Sequence, residues 1–181
     1  MIEKNVYHKL NDYIKASGDL AVKLYKEDIE AALRTKDFGG FELLSLSDYT
    51  GQSTATVGIL DVFYESKGLI SPDEFKNFAG EAVPLFKAKR IFKNTDTLEA
   101  ELDLYDFGEK KINNPVYNLT VQNGEQVFYK TSTTESKVSI PLNSITKSTM
   151  LSVILEVNGY KNTWRIFVFA ENKIEKQCSY D

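Results

Sequence analysis

This chain of 181 residues holds almost no sulfur or imidazole chemistry: one cysteine, Cys178, and one histidine, His8. A single thiol excludes an internal disulfide. One Cys and one His cannot assemble a zinc site, so no metal centre is expected. A Ser-His-Asp or Cys-His centre would have to run through His8 near the N-terminus, where an ordinary surface or helix histidine is the simpler reading. Cys178 sits in the polar tail Gln177-Cys178-Ser179-Tyr180-Asp181 and reads as a free thiol. One thiol says nothing about the redox compartment.

Long apolar runs are missing too. No stretch reaches the ~18–20 residues of a membrane span, so no membrane partner is expected. The opening Met1-Ile2-Glu3-Lys4-Asn5 has no apolar stretch behind its charges, so no secretory signal peptide is expected. Basic charge is also short, with 22 Lys and Arg against 26 Asp and Glu, a net charge of -4. Phosphate binding needs a basic surface, so no nucleic-acid partner is expected. Internal repeats, low-complexity tracts and Pro-rich linkers are absent. What is present is 42% hydrophobic and 27% charged residues, the balance of a folded chain with a core.

The pattern changes period near Lys93. Before it, apolar residues recur at helical spacing. Tyr7, Leu10, Tyr13 and Ile14 predict a helix to about Ala16. Ser17-Gly18-Asp19 predicts a break, with Gly18 suited to a helix end and Asp19 to an N-cap. Leu20, Leu24, Ile29, Ala32 and Leu33 predict a second helix from Leu20 to Arg34, with Lys23, Lys26, Glu27 and Glu30 mostly on its solvated face. Gly39-Gly40 closes this pair. The run Phe41 to Leu46 predicts a short buried strand. Val57, Leu60, Phe63 and Tyr64 predict a third helix from Ala55 to Ser66, closed by Gly68. Ser71-Pro72-Asp73-Glu74 carries a capping box and a proline in the first turn, so a short helix is expected from there to near Gly80.

After Lys93 the period is two. Leu98 to Leu104 alternates apolar and acidic residues, which predicts a strand with one wet face. Tyr117-Leu119-Val121 and Leu151-Val153-Leu155-Val157 alternate likewise. Asn123-Gly124 and Asn158-Gly159 predict two-residue hairpin turns. Gln126 to Lys130, Trp164 to Phe169, Lys89 to Phe92 and Lys137 to Ile140 complete about seven strands. Short strands at this spacing predict an immunoglobulin-like antiparallel β-sandwich with Trp164 in its core. The expected fold class is therefore α+β: residues 1–83 helical with one short strand, and residues 84–181 a sandwich. Glu99, Glu101 and Asp103 line one strand face, but no calcium-loop pattern accompanies them, and a solvated face is the simpler reading.

One segment resembles a known family. Tyr25-Lys26-Glu27-Asp28-Ile29-Glu30-Ala31-Ala32-Leu33-Arg34-Thr35 is followed by Phe38-Gly39-Gly40-Phe41-Glu42-Leu43-Leu44, then by Asp48-Tyr49-Thr50-Gly51-Gln52, by Val57-Gly58-Ile59-Leu60-Asp61, and by the run from Ser66 to Phe75. This order resembles the C-terminal part of large bacterial glycoside hydrolases of the family 2, β-galactosidase-like group, which carry a (β/α)8 barrel followed by an immunoglobulin-like sandwich. The resemblance covers residues 10 to 170. It is specific in the first half and mainly architectural in the second. It implies that Leu20 to Arg34 is the seventh barrel helix, Gly40 to Leu46 the eighth strand and Ala55 to Ser66 the eighth helix.

A whole barrel takes ~250 residues, so the resemblance implies a fragment. The family's catalytic carboxylates come from earlier strands, and its His-Glu-Ile-Gly-Gln type stretch is absent from this sequence. The implied function is a non-catalytic C-terminal portion of a glycoside hydrolase, with no catalytic residue, cofactor or metal of its own, and carbohydrate as partner of the parent enzyme. Asp48, Tyr49 and Gln52 follow the implied eighth strand and so would fall at the substrate rim. For Asp48 the other reading is a turn closed with Gly51. The family more often has an acidic residue at the place of Ser45 and Phe at that of Tyr49, which blurs any transfer of sugar specificity. The resemblance also implies a periplasmic or extracellular parent, and self-association through uncovered barrel surface.

A stand-alone carbohydrate- or protein-binding sandwich is the alternative. Its candidate contact aromatics are Tyr105, Tyr117, Phe128, Tyr129 and Tyr160.

Overall fold

The computed structural model describes residues 7–51 and 56–171. It divides the chain into two compact units, one ending at Glu81 and the other starting at Ala82. The fold class is α+β, with an N-terminal helical unit and a C-terminal β-sandwich.

In the N-terminal unit a 3-10 turn at Tyr7–Lys9 leads into one helix, α1 (Leu10–Arg34). The expected break at Ser17-Gly18-Asp19 does not occur. Gly18 lies inside α1, and a Cβ built there would collide with Leu69. The glycine makes room for a leucine rather than ending the helix, and tertiary packing outweighs its weak helix propensity. Lys15 and Asp19 pair across one turn at 3.3 Å and bridge the same stretch.

The expected strand over 41–46 is absent, and Leu44 is 93% exposed. Hydrogen bonds tie this segment at two backbone carbonyls: Ser45 accepts from the Tyr25 hydroxyl at 3.3 Å, and Leu46 accepts from Leu60 N–H at 3.0 Å. The expected helix over 55–66 is absent as well. Ala55 lies outside the described residues, and 56–66 is extended chain and turn. Asp61 is the cause. Its Oδ1 accepts from Phe63 N–H at 2.8 Å and Glu65 N–H at 2.9 Å, a local bonding that competes with helix. Tyr64 takes a positive φ of 64° in that turn. Val57 and Ile59 also prefer extended backbone. The expected capped helix is present as α2 (Pro72–Ala79), where Ser71 accepts from Glu74 N–H and the Glu74 side chain accepts from Ser71 N–H.

The sandwich has eight strands among the described residues: β1 (Ala82–Lys87), β2 (Ile91–Lys93), β3 (Thr97–Asp106), β4 (Tyr117–Asn123), β5 (Gln126–Thr133), β6 (Lys137–Pro141), β7 (Thr149–Val157) and β8 (Tyr160–Phe169). One sheet has the order β1-β3-β6 and the other β2-β8-β7-β4-β5. The chain changes sheet between β1 and β2, and β2 runs parallel to β8 while every other pairing is antiparallel. This is the immunoglobulin-like arrangement, with the first strand divided between the two sheets.

Strand β1 escapes sequence patterning because both its faces are buried, so it does not alternate. Its Pro84 lacks an N–H, and its carbonyl accepts from the buried Asn162 side chain of β8 at 3.0 Å. That bond satisfies a group the interior would otherwise leave unpaired.

The hairpin at Asn158-Gly159 forms as expected, with positive φ at both residues (51° and 86°). The other hairpin turn sits one residue later than expected. Asn123 pairs with Gln126, so Gly124 and Glu125 form the turn. The cause is a bulge after Val121, where β5 carries Phe128 as an extra residue. Inward residues of both sheets form one core around Trp164, Phe86, Leu119 and Ile166.

Candidate functional site

Two of the three rim residues implied by the family resemblance, Asp48 and Tyr49, lie within the described residues. Gln52 lies outside the described residues. Tyr49 is 60% exposed, and its ring folds back over Gly51, where a Cβ would collide with it. The Asp48 side chain, only 8% exposed, is an ion-pair partner of Lys67 at 2.6 Å. The same Oδ1 accepts from Gly58 N–H at 2.9 Å. Lys67 Nζ donates further to the Gly58 carbonyl at 2.9 Å and the Thr56 carbonyl at 3.3 Å. Gly58 is required in this cluster, because a Cβ there would strike the backbone at Ser47. Asp48 therefore fastens the 46–48 segment to the 56–67 segment. The side-chain partners of Asp48 are thus Gly58 and Lys67.

This network makes a pH prediction. The Lys67 ammonium holds the Asp48 carboxyl below the usual carboxylate range, helped by Gly58 N–H against the opposing effect of burial. A depressed carboxyl stabilises the fold above its unfolded value, and the contribution disappears as pH falls through the folded value. Amide exchange at 46–48 and 56–60 is expected to accelerate as pH drops below about 4, after correction for intrinsic rates. In Asp48→Asn exchange should be fast at neutral pH too, with no further step. An acid step retained in D48N would refute this assignment.

The acidic strand face is also internally committed. Glu99 accepts from the Ser139 hydroxyl, Glu101 pairs with Lys87 at 3.3 Å, and Asp103 accepts from Leu104 N–H at 2.8 Å. Among the described residues no group of three or more His, Cys, Asp or Glu side chains is placed to hold a metal ion. No helix there is long and apolar enough to cross a membrane. His8 is exposed, and Cys178 lies outside the described residues. An open cleft of about 290 Å3 beside β2 and β3 is lined by Lys89, Ile91, Phe92, Asp96, Thr97 and Glu99. Its lining mixes both signs of charge and converges on no reactive group.

Of the candidate aromatics, Tyr117 is buried, and burial raises its hydroxyl above the usual range, with a lesser push from Asp103. Phe128 and Tyr129 pack against the core, and Tyr160 is half-buried beside a hairpin turn. Tyr105 is different. It sits near the end of β3, two residues before Phe107, so strand geometry puts both rings on one side. The rings lie 6.0 Å apart and 7° from parallel. Phe107 is 69% exposed.

The loop that carries Phe107 is pinned by Asp106. Its Oδ1 accepts from Gly108 N–H at 3.0 Å and its Oδ2 from Ile112 N–H at 2.7 Å. The Ile112 bond is the main cause that holds this carboxyl below its ordinary range. Lys111 donates to the Asp106 carbonyl at 2.8 Å, which sets its ammonium 5.7 Å from the Phe107 ring centroid, within cation–π range. No motif in the sequence marks Phe107 or Lys111. The Tyr-x-Phe spacing at a strand end was the available signal, while the contribution of Lys111 depends on the loop closing back on Asp106.

A family model described as a domain of unknown function (DUF8488) matches residues 96–170. The match lies within the C-terminal unit, takes in β3 to β8, and covers under half of the chain. No curated protein matches this chain.

Proposed function

We propose that this chain is a non-catalytic part of a carbohydrate-active protein related to the family 2 glycoside hydrolases, and that its sandwich supplies a sugar-contacting surface. The observation that carries this reading is the near-parallel Tyr105–Phe107 pair, with Phe107 exposed on a loop that Asp106 holds in place. One face of a pyranose ring is a patch of C–H groups. It stacks on the electron-rich face of an aromatic ring, and a pinned loop lowers the ordering cost of such binding. The implied role of completing a barrel needs a strand over 40–46 and a helix over 55–66. Neither is present among the described residues, so the reading rests on the sandwich. Asp48, engaged by Lys67 and Gly58, supports a structural rather than a catalytic carboxylate.

Titration calorimetry against soluble neutral polysaccharides (galactan, xylan and mannan) tests this. Saturable binding to at least one is expected. Phe107→Ala should weaken it by at least about tenfold, some 1.4 kcal/mol, with an unchanged circular dichroism spectrum. Tyr129→Ala, at a partly buried ring on β5, is the control and should leave affinity as it is. Binding that survives in F107A would overturn the platform. Release of p-nitrophenol from p-nitrophenyl glycosides by the purified chain would overturn the non-catalytic assignment.

A further inference from the structure

The two Asn-Gly pairs are alike in sequence and different in surroundings, and the difference is chemical. An asparagine followed by glycine reacts with its own backbone. The glycine N–H gives its proton to water or hydroxide, and its nitrogen attacks the asparagine Cγ. A five-membered succinimide closes, and Nδ2 takes up a proton and leaves as ammonia. Water then opens one of the two ring carbonyls, to aspartate or to isoaspartate. One water is consumed and one ammonia released, with no oxidant or reductant. Glycine favours the attack because no Cβ crowds its nitrogen. The attack also needs the asparagine to turn about its Cα–C bond until the reacting atoms meet, so any bond that fixes the side-chain amide or the backbone slows it.

Asn123 is fixed at both places. It lies inside the ladder, paired with Gln126 of β5, and its Nδ2 donates to the Thr149 hydroxyl of β7 at 2.8 Å. Asn158 is fixed at neither. The β7–β8 ladder closes at Val157 and Tyr160, which leaves Asn158 and Gly159 outside it as the two turn residues. The Asn158 side chain is exposed and takes part in no hydrogen bond among the described residues. We infer that Asn158 is a modification site: in the folded chain it deamidates spontaneously to aspartate and isoaspartate, while Asn123 is spared.

The product changes the hairpin. Isoaspartate adds one methylene to the main chain of a two-residue turn whose dihedral angles match the strand twist. The new carboxylate stands one residue pair beyond Glu156, which faces Lys161 across the ladder. The end of the ladder at Val157 and Tyr160 should open more readily as a result. The site is independent of the sugar-contacting surface proposed above.

Incubation of the full chain at about pH 8, digestion in acid and peptide mapping by mass spectrometry test the inference. Peptides spanning 158–159 should gain about 1 Da and separate into aspartate and isoaspartate forms. They should do so at least about tenfold faster than peptides spanning 123–124. In urea-unfolded chain the two sites should react at similar rates, because both precede glycine. Thr149→Val keeps a β-branched residue on β7 and removes the hydroxyl, so it should speed Asn123 several-fold and leave Asn158 unchanged. Equal rates at the two sites in the folded chain overturn the inference. So does an Asn158 that stays intact for as long as the unfolded chain takes to react fully. An Asn123 as slow in T149V as in wild type overturns the protection assigned to the Thr149 bond. Amide exchange at Val157 and Tyr160 that is the same before and after deamidation overturns the effect on the hairpin.

Discussion

Trp164→Ala is expected to destabilise the sandwich by about 3–5 kcal/mol, a large part of the ~5–15 kcal/mol that holds a typical domain together. Trp164 is 4% exposed, and its ring lies 5.3 Å from that of Phe86, which is fully buried. Trp164 stands on β8 of the five-stranded sheet and Phe86 on β1 of the three-stranded sheet. Their contact joins the sheets just before the chain crosses from one to the other. Removal of the indole leaves a cavity lined by strands from both sheets, and backbones held in ladders cannot collapse to fill it. Trp164→Phe keeps a ring against Phe86 and should lose substantially less. Because the chain has two units, a single melting curve does not isolate the sandwich. Hydrogen exchange over 82–171 is the appropriate readout. Protection there should fall by at least about a hundredfold in W164A, while α1 keeps its own. Unchanged protection would mean that the sheets are held together elsewhere.

The second large effect concerns Glu30, the charged side chain that is fully buried in α1. Lys26 lies one turn before it and Arg34 one turn after it, at 2.7 Å and 3.3 Å. Replacing both cations, Lys26→Met with Arg34→Met, removes two compensating charges from a buried carboxylate. About 3–5 kcal/mol should be lost from the N-terminal unit. Lys26 also sits 5.5 Å from the Phe78 ring centroid of α2, so the link between the two helices weakens as well. Glu30→Met should be far milder, because it removes the buried charge and leaves two partly exposed cations that water can solvate. Thermal denaturation followed at the helical circular dichroism band, with the three-variant order wild type, E30M, K26M/R34M, checks this. The reverse order of the two variants would show that Glu30 contributes more than its burial costs.

The difference between what was legible and what was not follows hydrogen-bond range. Strands β3, β4, β7 and β8 announce themselves because each buries one face, so period two appears in the residues themselves. Ser71-Pro72-Asp73-Glu74 marks a helix start because all its bonds close within three residues. Strand β1 was silent because two buried faces erase alternation. Gly18 was misleading because a glycine that ends a helix and one that admits a leucine look alike until Leu69 arrives from a distance of fifty residues. The apolar run over 41–46 has the composition of a strand, yet no strand pairs with it among the described residues.

The candidate site divides the same way. Asp48 was legible as a noteworthy carboxylate near a turn, but its function is set by Lys67, nineteen residues later in the chain. Tyr105 was legible as an aromatic on a strand. That Phe107 lies beside it and Lys111 beside Phe107 depends on Asp106 closing a loop by three backbone and side-chain bonds.

By itself, then, the sequence determined the α+β class, the antiparallel sandwich with Trp164 inside it, and the capped helix α2, because periodicity and caps are encoded within one element. Only the tertiary structure decided that α1 is one helix, that 40–66 is neither strand nor helix among its described residues, and which carboxylates are committed to the fold. Those outcomes turn on partners brought together across long loops, and the free energy of such contacts is not written in either segment alone.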